Sequence, residues 1–245
     1  QTYKLWRIIY IDDNSSDNTY KLVNNYIKNN NLFNKVSLIK NKVNMSQSYS
    51  RYIGYKLVDD DEIICFLDGD DWLYDNNVLS KLNEEYNNND ILLTFGSYCE
   101  FINGSESNVR KVVDYKDDIK DECKYRDRRG WFGIPLRTGY AYLYKDIPED
   151  YLKDCDKNWM RSCTDIAEFL WAIEKVEKRY KAIEWITYVY NIDSSRRFSN
   201  SIYNLSETEY EYRVKTSEKI FGYKKELFFN KIFLVGITNW IYSLF

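Results

Sequence analysis

Residues 63–73 read Ile63-Ile64-Cys65-Phe66-Leu67-Asp68-Gly69-Asp70-Asp71-Trp72-Leu73, or IICFLDGDDWL. The apolar run Ile63 to Leu67 predicts a buried strand, with Glu62–Leu67 as its extent. Three carboxylates in the next four positions repel one another. Read alone, they are as much a solvated turn as a site. An EF-hand loop is excluded, because Trp72 falls where an oxygen ligand is needed. The neighbouring pattern decides. Leu5–Ile11 is another short apolar run that ends in carboxylates, Asp12-Asp13. Between the two runs, Ser15-Ser16-Asp17 offers helix N-caps, and Leu22, Val23, Tyr26 and Ile27 share one helical face. Lys35–Ile39 reads as a strand. Ser46–Val58 reads as a helix, with Tyr49, Ile53 and Leu57 four residues apart. Asn76–Tyr86 predicts a helix and Ile91–Phe95 a fourth strand. Strands alternating with helices predict an α/β fold with a mostly parallel sheet. In such a sheet ligands bind beyond the carboxyl ends of the strands, where both acidic clusters lie. The run Asp59-Asp60-Asp61-Glu62 is read as a solvated turn.

Downstream, the alternation breaks near Asn103–Asn108, and Asp114–Arg129 is a highly charged excursion. Thr138–Tyr144 reads as a strand, Asp165–Lys178 as a helix and Ala182–Tyr190 as a strand. Leu205–Tyr223 and the residues from Lys225 onward read as terminal helices. Ile232–Phe245 carries no charge and is shorter than a membrane span. It is read as a packed terminal helix or as a segment in peripheral contact with a membrane surface.

Composition removes several classes of chemistry. A net charge of −3 over 245 residues gives no basic field for nucleic acid. Histidine is absent, which removes imidazole catalysis and histidine-ligated metals. Five cysteines without a CxxC pair argue against zinc and disulfides and for a reducing compartment, so a cytoplasmic location is expected. There is no P-loop lysine motif and no GxGxxG. A diphosphate would therefore be neutralised by Mg²⁺ or Mn²⁺, which take one or two protein carboxylates and fill their remaining positions with water and phosphate oxygens. Gly69, without a side chain, lets a ligand approach the backbone.

At this point a family resemblance is legible. Ile8–Thr19 (IIYIDDNSSDNT) resembles the VVDDGSTDGT segment of family 2 glycosyltransferases with the GT-A fold. Asn44–Gly54 (NMSQSYSRYIG) resembles the family's N-x-G-x-S-x-x-R-N-x-G segment, and FLDGDDWL its D-x-D motif. Thr164-Asp165 resembles the acidic dyad that holds the catalytic base, and Ala182–Asn191 the strand after it. The resemblance runs in order over residues 1–201.

It implies a Rossmann-like α/β fold: a mostly parallel mixed sheet flanked by helices, with C-terminal helices. Residues 1–113 would form the nucleotide-sugar-binding half, 114–204 the half for acceptor and catalytic base, and 205–245 a helical segment. It implies an inverting transfer of sugar from a UDP-sugar, or another nucleoside-diphosphate sugar, to a saccharide or glycoconjugate, as in polysaccharide biosynthesis. By position, Asp13 would contact uracil with Asp12 beside it, Arg51 would lie near the base or phosphate, Asp68 would contact ribose and Asp70 would bind Mn²⁺ or Mg²⁺. Asp71 would assist, Asp165 would be the general base, and Glu168 is its reserve. Trp131 and Arg137 are candidates for the acceptor site, and Arg196-Arg197 for closing over the diphosphate.

The sequence departs from the family at Ser46, usually Gly, and Tyr52, usually Asn. The family's frequent histidine metal ligand is missing, so a weaker or water-completed metal site is expected. Gln1-Thr2-Tyr3 resembles a segment that follows the family's first helix. The opening β-α unit is therefore expected to be missing, and donor binding by this stretch to be weak. A degenerate GT-A module that binds sugar nucleotide or acts as a scaffold, and a GT-A-like nucleotidyltransferase, stand as alternatives.

Overall fold

The computed structural model describes residues 1–114, 125, 133–195 and 206–222. The expectations for Trp131, Arg196, Arg197, the terminal helix from Lys225 onward and the membrane contact of Ile232–Phe245 lie outside those residues, as does most of the charged excursion after Asp114.

Ile8–Asp12 (β1) and Val36–Lys40 (β2) pair in parallel, connected by helix Thr19–Asn29 (α1). Asp17 Oδ1 accepts the Thr19 amide at 2.9 Å and starts α1. The four-residue apolar face expected on α1 is only partly covered. Ile27 is buried, whereas Leu22 and Tyr26 are 66% and 64% exposed. The cause is the width of the support: among the described residues β1 pairs with β2 alone, and two strands cannot cover a helix face.

Helix Gln47–Tyr55 (α2) leads to Ile63–Phe66 (β3), the strand of the opening stretch. The chain then forms the short Trp72–Leu73 (β4), helix Val78–Tyr86 (α3), the long Leu93–Ile102 (β5), Ser105–Arg110 (β6) and Arg137–Tyr140 (β7). Helices Tyr142–Lys145 (α4) and Thr164–Val176 (α5), strand Tyr180–Asn191 (β8), helix Ile192–Ser195 (α6) and the helix over 207–222 (α7) follow. The second sheet has the order β3-β7-β5-β8-β4, with β6 also on β5. It is mixed: β5 and β8 run parallel and the other pairs antiparallel.

The sheet also curls. The β5–β8 register shifts between Gly96 and Ser97 and again between Ser97 and Tyr98, and such bulges bend a strand and increase its twist. Residues 67–71 are therefore enough to carry the chain from the end of β3 to β4 on the far side of β8, a reach of at most about 22 Å.

Two sequence expectations change. Ile91–Phe95 is only the start of a longer strand, because Asn103-Gly104, both at positive φ (54° and 77°), close a β5–β6 hairpin where a broken pattern was expected. The Thr138–Tyr144 strand ends at Tyr140, and the helical turn α4 drives Leu143 and Tyr144 into the core. Tyr144 packs on Phe66 and Tyr55, with ring centroids 4.9 and 5.9 Å apart. Helix α5 buries nine residues on nearly all sides. Phe169 meets Phe95 of β5 edge to face at 5.2 Å, and each such buried side chain stabilises by about 2–3 kcal/mol. No helix among the described residues is long and apolar enough to cross a membrane.

Candidate active site

Three elements come together at their ends: β1, β3 and the first turns of α5, with Tyr10 of β1 beside Gly69 and Arg51 bonded to both Asp68 and Glu168. Asp12 closes β1. Its carboxylate is buried, with Oδ1 accepting the Ser15 amide at 3.2 Å and Oδ2 lying 3.6 Å from Lys40 Nζ. It shapes the turn and does not face the crevice. Asp13 is half-buried. Its Oδ1 accepts from Asn41 Nδ2 at 2.7 Å and from the Met45 amide at 2.8 Å, so one carboxylate oxygen fastens the end of β1 to the loop that leads into α2. Asn41 also donates to Ser50 Oγ at 3.0 Å. Sequence reading passed over Asn41, although a polar residue directly after a strand was the available signal.

Arg51 joins the acidic loop to α5. Its Nη2 donates to Asp68 Oδ1 and its Nη1 to Glu168 Oε2, both at 2.7 Å. Burial alone would lower the guanidinium pKa, but Glu168 and Asp68 together hold it above its ordinary value. The three side chains grade outward: Glu168 is 3% exposed, Arg51 12% and Asp68 40%. Burial pushes the Glu168 carboxyl up to about 6, against the pull of Arg51. Its Oε1 has no hydrogen-bond partner among the described residues.

Asp71 turns inward. The Tyr188 hydroxyl donates to its Oδ2 at 2.5 Å and the Asn191 amide to its Oδ1 at 2.7 Å. Asn191 Nδ2 holds the Asp70 carbonyl at 3.0 Å. Asp71 thus pins the loop to the end of β8. Burial pushes its carboxyl up to about 7, although both donors pull the other way. Asp70 is left exposed. Among the described residues no three histidine, cysteine, aspartate or glutamate side chains converge on one point. One free carboxylate with Asp68 two residues away suits a hard cation that takes one or two protein ligands and fills the rest with water and phosphate, so the donor set fits Mg²⁺ or Mn²⁺. Packing does not require glycine at 69: a methyl there would lie 3.7 Å from the Tyr10 hydroxyl, an ordinary contact.

Asp165 sits in the first turn of α5, favoured there by the helix dipole. Among the described residues no side chain caps this helix start. Cys163 occupies the cap position at φ 65°, and Thr164 Oγ1 is buried. Asp165 is 35% exposed, and its Oδ2 accepts from Arg137 Nη1 at 3.1 Å. The same nitrogen donates to the Gly133 carbonyl at 3.0 Å. Gly133 lies so close to Phe169 of α5 that a methyl would fall 2.5 Å from the ring. Arg137 is itself buried.

The sequence model described as glycosyl transferase family 2 matches residues 1–147. That range holds Asp12, Asp13, Arg51 and the acidic loop, and Asp165 lies beyond it. Among solved structures, the fold is similar to the crystal structure of S. aureus TarS 1–349 in complex with UDP, at 16% identity and TM-score 0.50 over 76% of this chain and 51% of that one. It is also similar to the crystal structure of S. aureus TarS 1–349, at 14% identity and TM-score 0.52 over 88% and 60%. This chain therefore spans about half to three-fifths of the length of those structures, and at such identities the likeness is one of fold. No curated protein matches the chain.

Proposed function

Since this chain belongs to glycosyl transferase family 2, we propose that it moves a sugar from a UDP-linked donor to a hydroxyl of a saccharide or glycoconjugate, with inversion. The observation that supports this reading is the Arg51 bridge, which ties the exposed Asp68–Asp70 loop to the helix that carries Asp165.

Each residue then has a task its chemistry suits. Asp13 spends one oxygen on Asn41 and Met45 and keeps the other for the N–H of a pyrimidine base. Asp68 spends one on Arg51 and keeps the other for a ribose hydroxyl. Asp70 would hold the divalent ion, which supplies charge neutralisation for a leaving diphosphate when bound. Asp165 takes the proton of the acceptor hydroxyl, a poor nucleophile until a positioned base relieves it of that proton. Displacement from the face opposite the leaving group inverts the anomeric carbon and needs no covalent sugar intermediate. The similarity of fold to a protein crystallised with UDP supports a nucleotide in this crevice.

The test is to incubate the full-length protein with a panel of UDP-sugars and Mn²⁺, with and without chelator, and measure UDP release. Chelator-sensitive release from one donor is expected. Nucleotide binding without release from any donor would favour the non-catalytic module instead.

A further inference from the structure

Glu168 was the reserve candidate for the base, and its surroundings deny it that task. Its side chain is 3% exposed. Oε2 is engaged by Arg51 at 2.7 Å, and Oε1 is sealed inside the fold. An acceptor hydroxyl cannot reach either oxygen. Asp165, one turn earlier on α5, is the carboxylate with an open side.

A buried carboxylate with a single strong partner needs another explanation. Arg51 carries a permanent charge and a rigid fork of donors. One nitrogen of the fork goes inward to Glu168 and the other outward to Asp68. The guanidinium thus divides its charge between a carboxylate that stays inside and one that faces the crevice. We propose that Glu168 is a positioning residue for donor binding: as the buried counter-ion of Arg51, it keeps the guanidinium from neutralising Asp68, so that Asp68 presents a basic oxygen to the donor. The inference rests on the function proposed above, and it extends it to a residue that touches no substrate.

The chemistry fixes the direction of the effect. Glu168→Gln keeps the size and a carbonyl acceptor for Arg51 but removes the inner charge. The full cation then falls on Asp68, the outer ion pair tightens, and the carboxylate accepts a ribose hydroxyl less well. Side chains in one ion-pair network are energetically coupled. We therefore expect UDP to bind about three- to tenfold more weakly, with kcat changed less than about twofold.

The experiment is a four-protein cycle: wild type, Glu168→Gln, Asp68→Asn and the double variant. The Kd for UDP in the presence of Mn²⁺ is measured by calorimetry, and kcat and KM by UDP release. Glu168→Gln should weaken binding in the wild-type background and have no further effect on Kd once Asp68 is Asn. Equal, additive effects in both backgrounds would show a merely structural role and overturn the inference. An unchanged or tighter Kd, or a fall in kcat alone, would overturn it as well. If Glu168→Gln fails to fold, Glu168→Asp replaces it: the shortened side chain draws the inner charge away from Arg51, and a loss of UDP affinity that disappears once Asp68 is Asn is again expected. A wild type that binds no UDP would sink the proposed function and this inference with it, whereas a binding wild type with an indifferent Glu168→Gln sinks the inference alone.

Discussion

Arg137 Nη1 lies 3.1 Å from Asp165 Oδ2 and 3.0 Å from the Gly133 carbonyl. A buried strand residue thereby fixes the direction in which a half-exposed carboxylate on α5 points. Arg137→Met removes that donor and leaves Asp165 free to rotate. Misplacing a base by about 1 Å costs on the order of 10²-fold in rate. We expect kcat to fall by about that factor with the Kd for UDP within about threefold, compared by single-turnover kinetics and calorimetry. A parallel loss of both would assign Arg137 to the donor.

Gly69 is the second test. A methyl there meets only the Tyr10 hydroxyl at 3.7 Å. Gly69→Ala should therefore leave folding stability within about 0.5 kcal/mol in a denaturant melt. If a diphosphate passes over this backbone, the same methyl should weaken UDP binding by about tenfold or more.

Tyr188 and Asn191 hold Asp71 at 2.5 and 2.7 Å. Tyr188→Phe leaves Asp71 one donor short inside the protein. Above pH 7, where Asp71 is ionised, a hydrogen bond to that charged, part-buried group is worth about 1.5–3 kcal/mol, and a loss of that size in thermal or denaturant unfolding is expected there. Asp71→Asn should restore part of it in the double variant, because the neutral amide needs less from its surroundings.

Glu168 gives a pH dependence with a definite sign. Its carboxyl stands at about 6 in the fold against 4.5 ordinarily, because burial penalises the charged form. The protonated carboxyl is the one the fold prefers. Its stability is fully present below pH 4.5 and is lost as pH rises through about 6. Glu168→Gln has no proton to lose. Between pH 4.5 and 7 the stability difference should move in the variant's favour by about 2 kcal/mol, read from denaturant melts at each pH.

The strands that carry the acidic turns were legible in the chain. The carboxylates at the ends of Leu5–Ile11 and Glu62–Leu67 stand out because strand runs and acidic turns are local patterns. The three acids of DGDD could not be sorted by pattern alone. Asp71 turns inward because Tyr188 and Asn191, more than 110 positions away, converge on it. The same limit hid Asp12, which faces the interior beside Lys40 while its neighbour Asp13 holds Asn41 and Met45. The Arg51 bridge to Glu168 spans 117 positions. The apolar face of α1 misled for a related reason: periodicity reports what a helix is able to bury, and Leu22 and Tyr26 find only a two-stranded ribbon beneath them. The β5–β6 hairpin, by contrast, was written in Asn103-Gly104 and simply passed over.

The most direct measurement is sugar transfer by Asp165→Asn, beside UDP binding by the same variant. Asparagine keeps the size of the side chain and a carbonyl for Arg137 but cannot take a proton. Loss of transfer by about 10²–10⁴-fold with UDP affinity unchanged is the expected result. Transfer at the wild-type rate would contradict Asp165 as the base and the crevice chemistry built on it.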